Sequence, residues 1–228
     1  MNFSPTLVQL WEEGLIWTEG VLPTLYLTAI STVLAYIIGM PLGILLHYTS
    51  KDGIKPIAWL NKTLGIIVNI LRSVPFIILM VALIPFARLI VGKSYGNSAM
   101  IVTLVIAAFP YIARMVESSI KEVDKGVIEA AQSMGISNFK LITKVLIPEA
   151  KPSLITGAVI STVTVLSYTA MASTISADGL GAIAIINGHQ QMNNDVIWVC
   201  CLLIVIIVQV IQEIGMLISR KSDKRIRN

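Results

Sequence analysis

Charged residues are scarce in this sequence. Of the 228 residues, only 13% are Asp, Glu, Lys or Arg, whereas 55% are hydrophobic, and the mean hydropathy is +0.81. A soluble domain of this size needs a much larger polar fraction to cover its surface. The composition therefore excludes a soluble globular domain and indicates an integral membrane protein built from helices.

Residues that carry out chemistry are also few. The two cysteines, Cys200 and Cys201, are adjacent in an apolar run, where Cys acts as a small hydrophobic residue. The two histidines, His47 and His189, lie in different segments. The motifs HExxH, GxSxG and the phosphate-binding GxxxxGK[ST] are absent. We therefore predict no catalytic residue, no metal site and no cofactor in this chain, and not an enzyme.

Five apolar segments are long enough to cross a bilayer, which requires about 20 residues of helix. Before them, the first 20 residues carry three Glu and no basic residue, unlike a secretory signal, and their apolar spacing predicts a short helix on the outer surface. The second segment is too long for one simple span and is interrupted at Arg72, Ser73 and Pro75, so we expect it to be broken or tilted. The predicted spans of this single transmembrane domain are residues 21–47, 57–91, 98–117, 152–173 and 196–218. Residues 174–195, between the last two spans, are expected to form a loop on the outer side.

The distribution of basic residues predicts the orientation. Three lie in residues 49–62, six in residues 114–151 and five in the C-terminal tail, so that 14 of the 17 fall on one side. The positive-inside rule places that side in the cytoplasm and the N-terminus outside. Because topology accounts for the basic pI of about 9.1, we expect no nucleic-acid partner.

Several features of the spans have two interpretations. Gly39 and Gly43 flank Pro41 and either allow another helix to approach closely or ease a kink. Arg72 either extends to the lipid headgroups or faces a wet cavity. Arg114 and Glu117 are three residues apart and are expected to pair on one helix face.

The fourth span is rich in hydroxyl side chains, which suit close packing or the wall of a pathway. We place this span, with Ser161, Ser167 and Tyr168, beside a passage through the membrane.

One stretch, Glu129 to Glu149, is polar enough to lie in water. A helix is predicted from Glu129 to Met134, and Gly135 is expected to end it in a left-handed turn. A second amphipathic run follows, with Phe139, Ile142, Val145 and Leu146 on one side, and closes at Pro148. Within the cytoplasmic segment 118–151, this pattern predicts two short helices around a glycine.

This stretch resembles the EAA motif of bacterial ABC importer permeases. The motif reads EAA, three residues, Gly, nine residues, and then hydrophobic-x-hydrophobic-Pro. The matching residues here are Glu129, Ala130, Ala131, Gly135, Val145, Ile147 and Pro148. The resemblance implies a coupling helix that docks in a cleft of an ATP-binding partner subunit.

The resemblance extends over nearly the whole chain to the permeases of methionine importers. It is carried by NILRSVPFIILMVALIPFARLIVG, AAFPYIARMVE, IEAAQSMG, KVLIPEA and the DGLG turn. It implies a homodimer in the bacterial cell membrane, in contact with lipid, with two ATP-binding subunits that bind ATP and Mg²⁺ and an external substrate-binding protein. It also places the stretch from Ser167 to Ser173 at an external gate, with Met171 as a candidate gate residue. Arg72 and Ser73 are further candidate pathway or gate residues. Asp178, Gly179 and Gly181 are expected to face the binding protein, and Asp178 stands where related permeases often carry Gly.

Three other functions are compatible with a polytopic membrane protein. A permease for another small amino acid or peptide would share the same architecture. An ion-coupled secondary transporter would need carboxylates within the membrane, and Glu213, near the cytoplasmic end, is the one candidate. An intramembrane protease would need a serine motif that pairs with a histidine, and the sequence contains none.

Overall fold

The computed structural model describes residues 4–172 and 177–223, and within these ranges the regular structure is helical throughout. We number the helices α1 to α11. The N-terminal and broken segments form α1 (Pro5–Glu12), α2 (Ile16–Thr49, with a π-helical start at Ile16–Val21), α3 (Ala58–Ser73), α4 (Phe76–Ala82) and α5 (Ile84–Val91). The remainder forms α6 (Asn97–Lys121), α7 (Lys125–Ser133), α8 (residues 138–149), α9 (Lys151–Ala172), α10 (residues 180–190) and α11 (Asn194–Ser222).

Four of these helices, α2, α6, α9 and α11, are long and apolar enough to cross a membrane. The pair α3 and α4 passes the same test together, as a broken span or a re-entrant loop. The break falls at Pro75, as the sequence predicts, because proline disfavours helical geometry in the residue before it. Helix α2 begins five residues before the predicted start at Val21, since the π-helical turn continues directly into the span.

The segment between α9 and α11 differs from its prediction. Residues 174–195 were expected to form a loop, and residues 174–176 lie outside the described ranges. Most of the rest is helix α10, which is α-helical at Leu180–Ile183 and π-helical at Ala184–Gln190. The helix forms because Leu180 and Ile183 are buried against side chains of α1, α2 and α11. Tertiary packing therefore overrides the glycine- and amide-rich composition.

The described residues divide into two compact units. The first takes residues within 1–34, 74–108 and 162–211, and the second takes residues within 35–73, 109–161 and 212–228. Among its described residues, the first unit has a hydrophobic cluster around Met80 and Leu104 and another around Leu180 and Val196.

The second unit is built on close contact between α2 and α6. A Cβ on Gly39 would come within 2.8 Å of the Ile112 side chain, and one on Gly43 within 2.7 Å of the Val116 side chain. Both distances are too short for a real contact, so only glycine allows this approach. Of the two interpretations of the glycine pair, the structure supports helix packing.

Candidate functional site

The predicted docking segment forms a helix–turn–helix within the second unit. Asp124 caps the N-terminus of helix α7, and its carboxylate accepts a hydrogen bond of 2.7 Å from the backbone N–H of Gly126. This is the capping interaction that a helix N-terminus favours, although the sequence interpretation did not single out Asp124. Helix α7 carries Glu129, Ala130 and Ala131 and packs against the central part of α8.

The turn after α7 depends on Gly135, as predicted. Its φ angle of +71° lies in the left-handed region, and its N–H donates a 2.9 Å hydrogen bond to the carbonyl of Gln132. No atom lies within 4 Å of the position that a Cβ would take. Backbone conformation, and not crowding, is therefore the reason for glycine at this position.

Helix α8 departs from the predicted amphipathic pattern. It joins Asn138–Lys140, the π-helical stretch Leu141–Leu146, and Ile147–Glu149. Leu141 and Leu146, five residues apart, are fully buried, whereas Phe139 is 75% exposed. The wider π turn shifts the helix phase, so the expected grouping of Phe139 with Leu146 is wrong.

Pro148 also differs from its prediction. It lies in the last turn of α8, which continues to Glu149, and it therefore does not close the helix.

Exposed apolar groups lie on both sides of the turn. Met134, next to Gly135, is 74% exposed, and Phe139 is exposed to a similar degree. Ala130 is exposed, whereas its neighbour Ala131 is buried. Small and apolar exposed groups around a fixed turn form a surface that a protein partner can cover.

Glu129 faces a small cavity of about 160 Å³. Its other lining residues come from α7 and from the end of α2 with the turn after it: His47, Asp52, Gly53, Ile54, Lys125, Ile128 and Gln132. Among the described residues, the Glu129 side chain makes no hydrogen bond or ion pair. Its carboxylate is therefore available to a cationic partner.

A charge cluster centred on the buried Glu117 lies on α6, just before this segment. Glu117 accepts hydrogen bonds from Arg114 at 2.6 Å and from Lys121 at 2.8 Å. Arg114 also donates to the carbonyl of Gly65 at 3.3 Å and to Asn69 Oδ1 at 3.1 Å on α3. The predicted Arg114–Glu117 pair is confirmed, and the Glu117–Lys121 spacing of four residues was a signal for the third member.

The six predicted pathway residues fall in both units. In the second unit, Arg72 is exposed with its guanidinium carbon 6.0 Å from the centre of the Tyr111 ring, and Ser73 donates to the carbonyl of Asn69. Ser161 is fully buried.

In the first unit, Ser167 and Met171 are exposed, and the Tyr168 ring stacks on Phe76 with centroids 4.3 Å apart. Phe76 follows the break at Pro75 and was not singled out from the sequence. Of the predicted gate stretch, Ser173 lies outside the described residues.

The DGLG turn is held by several contacts in the first unit. The Asp178 carboxylate accepts a 2.9 Å hydrogen bond from Asn97 Nδ2, and the Asp178 N–H donates to Asn97 Oδ1 at 3.1 Å. Gly179, with φ at +131°, donates to the carbonyl of Glu19. A Cβ on Gly181 would lie 2.7 Å from the Ala170 Cα, so glycine is required for α10 to touch α9.

The described residues contain no group of three or more His, Cys, Asp or Glu side chains placed to hold a metal ion.

Comparison with known proteins gives consistent results. The model of the family "binding-protein-dependent transport system inner membrane component" matches residues 39–228. A probable D-methionine transport system permease from Vibrio cholerae is 45% identical over 89% of this chain and 90% of its own length. The methionine import system permease of Bacillus subtilis is 44% identical over 79% of this chain and 82% of its own.

A solved structure is also similar. A chain from inward-facing conformations of the MetNI methionine ABC transporter superposes with a TM-score of 0.91 at 40% identity, covering 97% of this chain and all of that one. The family match covers most of the sequence and includes the whole helix–turn–helix of α7 and α8. The chain therefore belongs to the family of binding-protein-dependent transport system inner membrane components.

Proposed function

We propose that this chain is the transmembrane permease subunit of an ATP-driven importer for methionine. The observation that carries the proposal is the exposed α7–α8 segment, in which the complete EAA spacing is built around a left-handed Gly135. Relatives of this chain at 40–45% identity are named as methionine permeases, which supports methionine as the substrate. No described side chain indicates recognition of the methionine thioether. Another small amino acid or a peptide is therefore the alternative substrate that the experiment must distinguish from methionine.

The chain supplies the pathway, and ATP chemistry is assigned to a partner. Two copies form a homodimer with two ATP-binding subunits, which bind ATP and Mg²⁺. Closure of those subunits moves α7 and α8 of each copy, with Glu129, Ala130, Ala131, Gly135, Val145 and Pro148 as the coupling residues. Because α7 packs on α8 and α8 leads directly into α9, movement of the segment is transmitted to a membrane span.

The orientation follows from the basic residues. The N-terminus is outside and the C-terminus is cytoplasmic in the bacterial cell membrane, so that α7 and α8 face the ATP-binding subunits. Substrate enters from an external binding protein at the outer turn that contains Asp178, Gly179 and Gly181. Alternating access then exposes the pathway first to this side and afterwards to the cytoplasm.

The pathway is assigned to side chains that offer hydrogen bonds and apolar contact with little fixed charge. Ser161, Ser167, Tyr168 and Met171 lie on α9, and Arg72 and Ser73 precede the break after α3. This chemistry suits a zwitterionic amino acid, which carries no net charge to be neutralised. The stacked Tyr168–Phe76 pair fixes the ring of one pathway residue in place.

Uptake into proteoliposomes tests the proposal. The permease is reconstituted with its ATP-binding subunit, and labelled methionine is added with the binding protein. We expect accumulation that requires ATP and an ATPase competent for hydrolysis, and that unlabelled methionine suppresses more strongly than other amino acids. Accumulation driven by an ion gradient without ATP would overturn the importer assignment, and preferential competition by another amino acid would overturn the substrate.

A further inference from the structure

An open apolar groove runs along α2 beside α8, within the second unit. Its volume is about 590 Å³, in the range of pockets that bind small ligands. One wall is a strip of α2 that includes Met40 and Ile44, and the other is the face of α8 that carries Phe139, Ile142 and Ile147. The lining is almost wholly apolar.

The length of the groove matches one leaflet of a bilayer. It extends along α2 from Tyr36 to Tyr48, which at 1.5 Å per residue is about 18 Å. Half of the hydrocarbon core is about 15 Å thick. Since α2 is a membrane-spanning helix by length and hydropathy, one acyl chain lying along it would fill the groove.

Polar and basic residues lie in the segments that meet at the Tyr48 end. The Tyr48 hydroxyl accepts a 3.2 Å hydrogen bond from Asn138 at the start of α8 and keeps a proton to donate. Lys140 and Lys144 are exposed on α8, one turn apart, and each directly follows a groove-lining residue, Phe139 or Thr143. The backbone N–H of Lys55 donates to the carbonyl of Tyr48, which places a third basic residue at this end.

We propose that this groove binds an anionic phospholipid of the cytoplasmic leaflet, with an acyl chain along α2 and the phosphate beside Tyr48, Lys140 and Lys144. The inference uses the cytoplasmic orientation of α8 from the proposed function. Basic clusters between membrane helices on the cytoplasmic side attract anionic headgroups. A second copy of this chain is a poorer occupant, because a two-fold interface on this groove would place the lysines of both copies in one interface.

The proposed site has a consequence for coupling. One wall of the groove is α8, which carries Val145 and Pro148 of the coupling segment. A bound lipid would therefore touch the element that moves when ATP is hydrolysed. Anionic lipid becomes a ligand that favours one position of α8 over another.

Native mass spectrometry of the assembled importer tests this site with phosphatidylglycerol and phosphatidylcholine as probes. Each lysine near a headgroup contributes about a fivefold preference for anionic lipid. We therefore expect K140Q/K144Q to weaken phosphatidylglycerol binding by about 25-fold, and K140R/K144R to retain it. The matched control K62Q removes an exposed charge from α3, outside the groove lining, and should leave binding unchanged.

A groove-filling variant separates chain binding from headgroup binding. Ile44→Trp should reduce binding of both lipids, because it occupies the apolar part and leaves the lysines in place. Equal binding of the two lipids by the unmodified importer, or unchanged binding by K140Q/K144Q, would overturn the proposal. Efficient disulfide formation between two copies carrying Ile44→Cys would also overturn it, since a second copy would then fill the groove.

Uptake measured on the same preparation keeps the two proposals distinct. Selective phosphatidylglycerol binding without ATP-driven uptake would contradict the transport function and leave the lipid site standing. Uptake without lipid selectivity would contradict the lipid site alone.

Discussion

Substitution of Gly135 tests the proposed contribution of one turn to energy coupling. Its φ of +71° and its N–H bond to Gln132 hold α7 and α8 in their arrangement, and no neighbouring atom restricts side-chain size. The series Asn, Ala and Pro therefore changes backbone preference with little effect on packing. We expect coupling to fall in that order.

The expected free-energy cost of each substitution follows from the backbone preference of the new residue. Asn tolerates the left-handed region and should cost only a few tenths of a kcal/mol. Ala should cost about 1 kcal/mol, which lowers the equilibrium constant for forming the native turn by about fivefold. Pro fixes φ near −65° and removes the N–H that bonds to Gln132, so it should cost about 3 kcal/mol or more, a factor above one hundred.

The assay is the ratio of methionine accumulated to ATP hydrolysed in proteoliposomes. Asn should leave the ratio nearly unchanged, Ala should lower it, and Pro should leave hydrolysis without transport. Gly92 provides a matched control, because its φ is +72°, it also lacks neighbours within 4 Å, and it lies at the end of α5. Gly92→Ala carries the same backbone strain and should not change the ratio.

Two results would refute this reasoning. Normal coupling by Gly135→Pro would show that the left-handed turn is not needed. An equal loss in Gly92→Ala and Gly135→Ala would show that general destabilisation, and not the turn between α7 and α8, accounts for the effect.

Three further predictions concern packing and charge. Gly43→Ala should destabilise the protein by about 1–3 kcal/mol in thermal unfolding, because the new Cβ meets Val116; an unchanged midpoint would contradict close packing of α2 on α6. Glu117→Gln should cost about 1–3 kcal/mol, because it removes the buried carboxylate that two cations share; a neutral result would show that solvent replaces both ion pairs. Asn97→Ala should raise the concentration of binding protein needed for half-maximal uptake, since both hydrogen bonds to Asp178 are lost; an unchanged requirement would exclude the outer turn from docking.

Local rules predicted the parts of the fold that depend on neighbouring residues. The break at Pro75 and the left-handed turn at Gly135 follow from the backbone limits of single residue types. The Arg114–Glu117 pair follows from helix periodicity. The EAA spacing identified the segment that the family match later included.

Features that depend on distant residues were not predictable in the same way. The π-helical turn in α8 changed which side chains are buried, and a constant helical period could not show it. Helix α10 forms where Leu180 and Ile183 find apolar partners far along the chain. The need for Gly181 arises from contact with the backbone of Ala170, which its own sequence neighbours do not reveal.

The central claim, that the turn between α7 and α8 receives an ATP-binding subunit, is tested most directly by site-specific crosslinking. A benzophenone amino acid at Met134 is compared with one at Met192, which is 85% exposed and lies at the proposed outer end. We predict that position 134 crosslinks to the ATP-binding subunit in the assembled importer and that position 192 does not. Crosslinking from position 192 alone, or from neither position, would contradict the account.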